Sequence, residues 1–219
     1  MLIHKIKCFL RPWGLRAFIG KAKKQQLNML DVGCGNRSSI FIKNINPFLN
    51  IFGIDVVDYN QSSESKQLYT SYLIVDPENF DESVGKLNID FDLIISNHNI
   101  EHCNNPESTF EAMVKRLRVG GYMFIATPCL KSTNFPSRRG TLNFFDDPTH
   151  KQPIDLCSMI EPYENNLECI FYKHGYRPIF WRFVGFIFEL NSRLKAKVKL
   201  GTWDYYGFEQ IMWLRKIEK

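Results

Sequence analysis

Carboxylates and glycines stand where two short apolar runs of the sequence end. Asp31, Gly33 and Gly35 close the first run, and Asp55 closes the next one, 22 residues after Gly33. Glycine lets a backbone approach a ligand closely, and a carboxylate at a neighbouring strand end accepts hydrogen bonds from both hydroxyls of a ribose. The pattern therefore predicts a nucleoside ligand, without deciding which one.

Two histidines have the chemistry of a proton acceptor. His102 follows the fourth apolar run, and His150 closes an Asp-Pro-Thr-His stretch further along the chain. Imidazole titrates near neutrality, so either ring is a candidate base for an acceptor hydroxyl. Asp146 or Asp147 is a candidate to orient His150 or to bind a metal, although an acidic pair in such a loop is more often a turn. The sequence predicts no metal ligand set.

The elements that must position these residues follow from hydrophobic patterning. Apolar runs without polar alternation predict strands of a parallel sheet covered on both faces. These runs are 27–32, 50–54, 72–75, 91–96 and 122–126. Apolar residues at helical spacing predict a helix that begins after Asn105 and is stopped by Gly120. The alternation of strands and helices predicts right-handed crossovers.

The C-terminal third is assigned from periodicity and composition. Residues 155–174 have a helical period that is interrupted at Pro162, and residues 177–188 and 206–214 are β-rich. The segment 191–199 between them is predicted to be a surface loop. The predicted fold is therefore a doubly wound, mostly parallel seven-stranded α/β sheet with helices on both faces.

The motifs occur in an order that resembles a known family. They are Asp31-x-Gly33-x-Gly35, Asp55, Asp76-Pro77, the run 91–97, Glu101-His102 and the segment 118–121. In order and spacing, residues 27–190 resemble the class I S-adenosylmethionine-dependent methyltransferases. The chain departs from the family at Arg37, where many members have a third glycine, and at Val119, which replaces a proline. Ser38, at the third glycine position of a dinucleotide fingerprint, disfavours a nicotinamide oxidoreductase.

The resemblance implies roles for the motif residues, with S-adenosylmethionine as the cofactor. Asp31, Gly33 and Gly35 would hold its methionine end, and Asp55 would bind the ribose hydroxyls. Asp76 would lie at the adenine edge, although an acid before a proline is also an ordinary turn. The remaining residues, which would line the methionyl side, are Ser96 and Asn97.

The methyl acceptor is predicted from a shorter resemblance. Residues 144–153 are similar to a stretch of bacterial methyltransferases of cell-surface polysaccharide assembly. This implies O-methylation of a sugar or polysaccharide precursor, with His102 or His150 as the base. A quinone or another small metabolite is the alternative acceptor, and a non-catalytic nucleoside-binding protein is the alternative class. A nucleic-acid acceptor is disfavoured, because residues 96–99 lack the motif of adenine amino-methylating enzymes.

Length and charge bound the organisation of the chain. At 219 residues it is expected to form one methyltransferase domain over 1–219, with 128–154 as a substrate or lid loop. Residues 1–24 hold seven of the 28 basic residues and no acidic one, and 1–26 is predicted to be a basic amphipathic cap. This segment could cover the domain or lie on the inner face of an anionic membrane. Six cysteines without a C-x-x-C pair are typical of a cytoplasmic protein.

Overall fold

The computed structural model describes residues 2–218, and side chains from residue 6 onward. One sheet organises the chain, and its strands are β1 (Asn28–Val32), β2 (Asn50–Asp55), β3 (Ser71–Ile74), β4 (Phe91–Asn97), β5 (Leu117–Pro128), β6 (Leu167–Lys173) and β7 (Glu209–Lys216). Their order is β3-β2-β1-β4-β5-β7-β6. Strands β1 to β5 pair in parallel, whereas β7 is antiparallel to both its neighbours. The predicted seven-stranded, mostly parallel sheet is confirmed.

Helices connect these strands. They are α1 (Leu2–Leu10), α2 (Leu15–Lys21), α3 (Ser38–Lys43), α4 (Ser63–Gln67), α5 (Phe80–Gly85), α6 (Pro106–Arg116), α7 (Leu156–Ile160), α8 (Ile179–Leu194) and α9 (Thr202–Tyr206). Because β1 pairs with β2 on one side and β4 on the other, the strand order reverses beside β1. In open parallel sheets, ligands bind at the carboxyl ends of the strands at this reversal.

Alternate residues of each strand build a core on either face of the sheet. Leu30 and Val32 of β1 pack with Phe110 and Met113 of α6 on one face. The other face buries Met29 under α2 and α3, in a cluster that includes Phe18, Ile19, Ile42, Phe124 and Trp213. A strand with both faces covered needs apolar residues at every position, which explains the unbroken apolar runs.

Helix α6 confirms the helix predicted between the fourth and fifth runs, but not its end. It begins at Pro106, at a helical position where the missing N–H is not needed. It ends at Arg116, and Leu117 is already extended. The prediction that Gly120 stops this helix is therefore wrong. Gly120 lies inside β5 with φ +80°, a conformation that disfavours residues with a Cβ.

The helix predicted over 155–174 is wrong in its second half. Helix α7 ends at Ile160, and a short 3-10 turn follows at Glu161–Tyr163. Pro162 within this turn has no N–H to continue the ladder of hydrogen bonds. The chain then forms β6 at the sheet edge. An edge strand is exposed along much of its length, so its sequence lacks the apolar run of the central strands.

The strand predicted over 177–188 is also wrong, because this segment is the first part of α8. Its many aromatic and β-branched residues favour a strand by propensity. Its large apolar residues, however, recur at helical spacing over Ile179, Phe183, Phe186 and Leu190. The surface loop predicted over 191–199 begins only after Leu194. The strand predicted over 206–214 is confirmed as β7 from Glu209 onward, whereas Tyr206 still belongs to α9.

The basic N-terminal segment folds against the sheet through α2. Phe18 and Ile19 are buried there, and the Nζ atom of Lys21 lies 4.4 Å from the ring of Trp13 and 4.6 Å from that of Trp213. The guanidinium of Arg16 lies 4.7 Å from the ring of Phe41. Several of the basic groups are therefore held by the fold rather than left in solvent. Within residues 2–218, no helix has the length and apolar character to span a membrane.

Candidate active site

The turn after β1 requires glycine at its first position. Gly33 has φ +77°, and its N–H donates to the carbonyl of Ile54 at 2.9 Å. A Cβ placed on Gly33 would overlap the side chain of Asn99. The turn after β1 and the turn after β4 therefore meet at the reversal of strand order. Only a residue without a side chain permits this approach.

The two predicted carboxylates lie side by side at this edge. Asp31 is 3% exposed, and burial raises its pKa to about 7, although a hydrogen bond from Ser38 lowers it and the charge of Asp55 raises it further. Burial also raises the pKa of Asp55, against hydrogen bonds from the N–H groups of Val56 and Gly35. The structure thus brings Asp31, Gly33, Gly35 and Asp55 together.

The other predicted cofactor residues, Asp76, Ser96 and Asn97, differ from one another in burial and in hydrogen bonding. Asp76 is exposed and caps a 3-10 turn, where its Oδ1 accepts from the N–H of Glu78 at 2.9 Å. Ser96 is wholly buried, and within residues 2–218 its hydroxyl has no hydrogen-bond partner. Asn97 is exposed at the end of β4 and lines a large cavity there. Their contacts with a cofactor remain predictions.

A buried ionic network that the sequence did not reveal lies behind the turn after β4. The Nδ1 and Nε2 atoms of His98 lie 3.2 Å from Glu101 and 3.0 Å from Glu209. Burial alone would lower the pKa of His98, but these two carboxylates raise it to about 10. Burial acts to raise the pKa of Glu209, but Arg11 and His98 lower it to about 2. The two carboxylates therefore favour the protonated form of His98.

The signal for His98 in the sequence was its position directly after β4. Its partners were not readable, because Glu209 follows it by 111 residues and Arg11 lies in the N-terminal segment. Arg11 also pairs with Asp204. This network joins the N-terminal segment, β4 and β7 at one end of the sheet.

The hydrogen bonds around His102 define its tautomer. The hydroxyl of Thr149 donates its one hydrogen to Asp147 at 2.6 Å. Burial tends to raise the pKa of Asp147, but the hydrogen bonds from Thr149 keep it lowered. Thr149 must therefore accept at its 3.0 Å contact with Nδ1 of His102. The proton of neutral His102 then lies on Nδ1, which leaves Nε2 as an acceptor.

His150 has the same tautomer for a different reason. Its Nδ1 lies 2.6 Å from the carbonyl oxygen of Phe144, which can only accept. The Nε2 atom of neutral His150 is consequently unprotonated. The rings of His102 and His150 have centroids 4.8 Å apart. The two predicted bases therefore form one pair, and each presents a free lone pair.

Within residues 2–218, neither carboxylate of the predicted orienting acids hydrogen-bonds to the ring of His150, although the backbone carbonyl of Asp147 accepts from the N–H of His150 at 3.2 Å. Asp146 accepts from the N–H groups of Arg138, Leu142 and Asn143 and so organises the segment 137–146. Asp147 acts on His102 through Thr149. The carbonyl of Phe144, rather than either carboxylate, orients His150.

A cavity of about 730 Å³ opens beside the end of β4. It lies between the N-terminal helices and the segment around α9, with Phe124 and Ile211 of the sheet at its floor. Much of its lining is apolar, and its charged lining residues are Lys7, Arg11, Arg16, Lys199, Asp204 and Glu209. Two aromatic residues of α9 have different surroundings. Trp203 lines the cavity, whereas the hydroxyl of Tyr206 donates to Glu189 at 2.7 Å.

Comparison with known proteins identifies the family. A family model described as a methyltransferase domain matches residues 2–180. The chain belongs to this methyltransferase family. The prediction of an S-adenosylmethionine-dependent methyltransferase is thereby confirmed, with S-adenosylmethionine as the methyl donor. No curated protein matches the sequence.

Solved structures share the fold of this methyltransferase at low sequence identity. A SAM-dependent methyltransferase from Archaeoglobus fulgidus is 15% identical with a TM-score of 0.52, over 98% of this chain and 93% of that one. The N-methyltransferase NodS from Bradyrhizobium japonicum, solved with S-adenosylhomocysteine, is 14% identical with a TM-score of 0.51, over 88% and 79%. The cyclase SpnF is 13% identical with a TM-score of 0.56, over 97% and 80%. At these identities the likeness shows the fold alone.

The residues at the β1 and β2 ends fit an adenosyl ligand. Gly33 and Gly35 keep the turn free of side chains, and Asp55 is a hydrogen-bond acceptor at the neighbouring strand end. The hydroxyl of Ser96 lies buried at the end of β4, and in the part of the chain that the structure describes it has no partner. These features agree with S-adenosylmethionine as the methyl donor.

Proposed function

We propose that this methyltransferase methylates a hydroxyl of a sugar or surface-polysaccharide precursor. The observation that carries the proposal is the pair of His102 and His150, whose Nδ1 atoms both hydrogen-bond to acceptors, so that the lone pair of each neutral ring lies on Nε2. Burial raises the pKa of Asp55, and the positive charge that His102 carries when protonated acts in the opposite direction, so this ring lies within electrostatic reach of Asp55. The proton-accepting pair and the ribose-binding carboxylate therefore share one end of the sheet.

We assign the cofactor contacts as the sequence predicts them. Asp55 accepts from the ribose hydroxyls, and Asp31 acts with Gly33 and Gly35 at the methionine end. The remaining contacts assigned are Asp76 at the adenine edge and Ser96 and Asn97 at the methionyl side. When bound, S-adenosylmethionine supplies a methyl group on a positively charged sulfur.

The histidines supply the base that an alcohol acceptor needs. A hydroxyl must lose its proton as its oxygen is methylated, and a positioned imidazole contributes about 10²–10⁴-fold to such a step. Nε2 of His150 or of His102 can take this proton. The Nδ1 hydrogen bonds, to Phe144 and Thr149, hold each ring in the tautomer that this requires.

A quinone or another small metabolite is the second candidate acceptor, and the cavity favours it. A cavity with a largely apolar lining and some charged groups suits a ring-shaped molecule that carries a few polar groups. The exposed ring of Phe145, which packs against Phe144 where that ring contacts His150, suits a sugar face instead. The two acceptors differ in where they contact the chain.

A methyl-transfer assay separates these acceptors. The purified chain is incubated with labelled S-adenosylmethionine and with sugar nucleotides, glycan extracts or quinol precursors. We expect label in the glycan fraction, and surface glycans from cells lacking the protein should lack one methyl group. Label only in the quinol fraction would replace the first acceptor by the second. Binding without any turnover would support a non-catalytic nucleoside-binding protein.

We propose further that the methyltransferase lies on an anionic membrane surface through α1 and α8. One face of α8 packs on the segment before α9, where a Cβ on Gly185 would overlap the carbonyl of Gly201. The other face is apolar and exposed. Its exposed members are Ile179, Phe183, Phe186, Ile187, Leu190 and Leu194.

The charges around this face favour an anionic lipid surface over a second copy of the chain. Exposed basic residues border it, and they are Arg182, Arg193, Lys195 and Lys197. Glu189, the acidic residue of α8, is paired with Arg138 at 2.7 Å. Helix α1 lies beside α8 and exposes Phe9 at 83%. An apolar helix face bordered by cations is typical of interfacial helices.

Vesicle co-sedimentation tests this contact. We expect the chain to sediment with phosphatidylglycerol vesicles and not with phosphatidylcholine vesicles. Phe183→Ser with Phe186→Ser should abolish sedimentation, whereas Phe48→Ser, at an exposed phenylalanine away from α8, should not. The proposal would be contradicted if the chain sedimented with neither kind of vesicle and eluted as a dimer that the α8 substitutions dissociate. That result would show that a second copy of the chain covers the apolar face of α8.

A further inference from the structure

We propose that Glu101, His102 and His150 bind a divalent cation at the acceptor side of the site. The inference rests on the proposed function and sharpens it, because it assigns a new task to the histidine pair. The three side chains each offer one ligand atom, and these atoms lie within 4.8 Å of one another. They come from two segments, since Glu101 and His102 follow β4 and His150 lies in the 128–154 loop.

The histidines are prepared as ligands by their hydrogen bonds. A metal-binding imidazole donates its other N–H to a carbonyl, a carboxylate or a similar acceptor, which fixes the ring and its tautomer. Nδ1 of His150 donates to the carbonyl of Phe144 at 2.6 Å. Nδ1 of His102 donates to Thr149 at 3.0 Å, and Thr149 donates to Asp147. In the neutral rings, both Nε2 atoms then carry the lone pair that a metal ion needs.

The carboxylate of Glu101 supplies the second, independent observation. Glu101 is wholly buried, and its Oε1 contacts His98 at 3.2 Å. Its Oε2 is buried too, and in the described part of the chain it has no hydrogen-bond partner. An unpaired buried carboxylate oxygen is costly. A cation held by the carboxylate removes that cost.

The donor set indicates the class of ion. Two imidazoles and one carboxylate suit Mn²⁺, Fe²⁺, Co²⁺ or Zn²⁺ better than Mg²⁺ or Ca²⁺, which prefer oxygen ligands. Ligand distances of about 2.1 Å require the three atoms to move slightly closer than they lie now. His102 and His150 are half-buried and their rings can make this adjustment.

Three protein ligands leave positions open for the acceptor. An acceptor oxygen bound there would be polarised by the ion, and its hydroxyl pKa would fall, so that water could take the proton. With the ion bound, the two Nε2 atoms hold the metal instead of accepting the proton. Without it, the histidine base of the proposed function remains.

Cobalt titration tests the site without depending on turnover. The chain is freed of metal with a chelator and titrated with Co²⁺, and the visible absorption of the protein-bound ion is followed. We expect one ion per chain, and a roughly tenfold or greater loss of affinity in His102→Gln and in Glu101→Gln. Thr149→Val, which removes only the partner of Nδ1, should weaken binding roughly tenfold. His174→Gln, at a histidine outside the cluster, is the matched control.

The outcomes separate this inference from the proposed function. Saturable Co²⁺ binding that His102→Gln abolishes supports the metal site, even if no acceptor tested is methylated. Unaltered binding in His102→Gln and Glu101→Gln overturns it, provided that both variants keep the circular dichroism of the parent chain. Full methyl transfer in the chelated chain, with no stimulation by Mn²⁺ or Co²⁺, also overturns it and leaves a histidine as the base.

Discussion

The two sides of the site are built in different ways. The cofactor side takes Asp31, Gly33 and Gly35 from one turn and Asp55 from the end of the adjacent strand, so parallel pairing alone brings them together. The acceptor side joins the turn after β4 to the 128–154 loop through the contact of His102 with Thr149. One side depends on the sheet, whereas the other depends on how a long irregular segment packs.

This difference predicts how each side responds to change. A substitution on the cofactor side should act on donor affinity and on the stability of the sheet edge. A substitution on the acceptor side should act on turnover and leave donor affinity unchanged. Substitutions on both sides therefore test this separation.

The largest effect is expected on the acceptor side. His150→Ala should lower kcat roughly 10²–10⁴-fold, because it removes a base in the metal-free chain and a metal ligand in the metal-bound chain. Calorimetric titration of the variant with S-adenosylmethionine should give the same affinity as that of the parent chain. His174→Ala is the control and should keep its turnover. A His150→Ala enzyme with unchanged kcat would remove this residue from the mechanism.

The next effect is expected on the cofactor side. Asp55→Asn should weaken S-adenosylmethionine binding roughly tenfold to a hundredfold, since hydrogen bonds to a charged group are worth about 1.5–3 kcal/mol. Titration calorimetry measures this loss. Asp76→Asn, which keeps a capping side chain at an exposed position, should weaken S-adenosylmethionine binding less than Asp55→Asn does. If Asp76→Asn weakened binding more than Asp55→Asn, the assignment of the ribose carboxylate would be wrong.

A smaller effect is expected in the stability of the unliganded chain. The folded chain holds a proton on Asp31 up to about pH 7, whereas an unfolded Asp releases it near the ordinary aspartate pKa of 3.8. The free energy of unfolding therefore falls as pH rises between these values, by at most ~1.4 kcal/mol per pH unit. Asp31→Asn should remove this dependence and raise the free energy of unfolding at neutral pH by about 2 kcal/mol, roughly half of the ~4 kcal/mol that the whole span gives, because a buried amide also has a desolvation cost.

Urea unfolding near pH 4 and near pH 7 measures this change. The parent chain and Asp31→Asn should differ at neutral pH and converge in acid. Asp90→Asn, at an exposed acid, is the control. Equal pH dependence in the parent and in Asp31→Asn would show that burial of this carboxylate has no cost.

The smallest effect concerns the departure from the family pattern at Arg37. Arg37 has φ +57°, a left-handed conformation that costs a non-glycine residue roughly 1–2 kcal/mol. Because glycine also loses more entropy on folding, Arg37→Gly should stabilise the chain by only about 0.5–1 kcal/mol. Thermal unfolding measures the gain, with Arg37→Lys as the unchanged control. A destabilised glycine variant would indicate that the guanidinium makes a stabilising contact.

The cofactor side was largely predictable from the sequence, for a physical reason. Strand ends in a parallel sheet are adjacent by topology, so Asp31 and Asp55 could be placed together from apolar runs alone. The acceptor side was predictable only as separate residues. Nothing in the sequence indicated that Thr149 would bond His102, or that His98 would lie between Glu101 and Glu209, because those contacts join distant segments.

The wrong assignments have a common cause. Residues 177–188 favour a strand by propensity, yet they form α8 because one face packs closely through Gly185. Residues 167–173 lack an apolar run because β6 is an edge strand. Local patterning describes central strands well, since both their faces are buried, and describes partly exposed elements poorly.

The central claim is that Asp31, Gly33, Gly35 and Asp55 hold the methyl donor while the histidine pair faces the acceptor. An experimental structure of the chain with S-adenosylhomocysteine tests it most directly. We predict the ribose hydroxyls within hydrogen-bond distance of Asp55 and the sulfur on the side of His102 and His150. A nucleoside bound elsewhere, or a sulfur directed away from both histidines, would contradict the account.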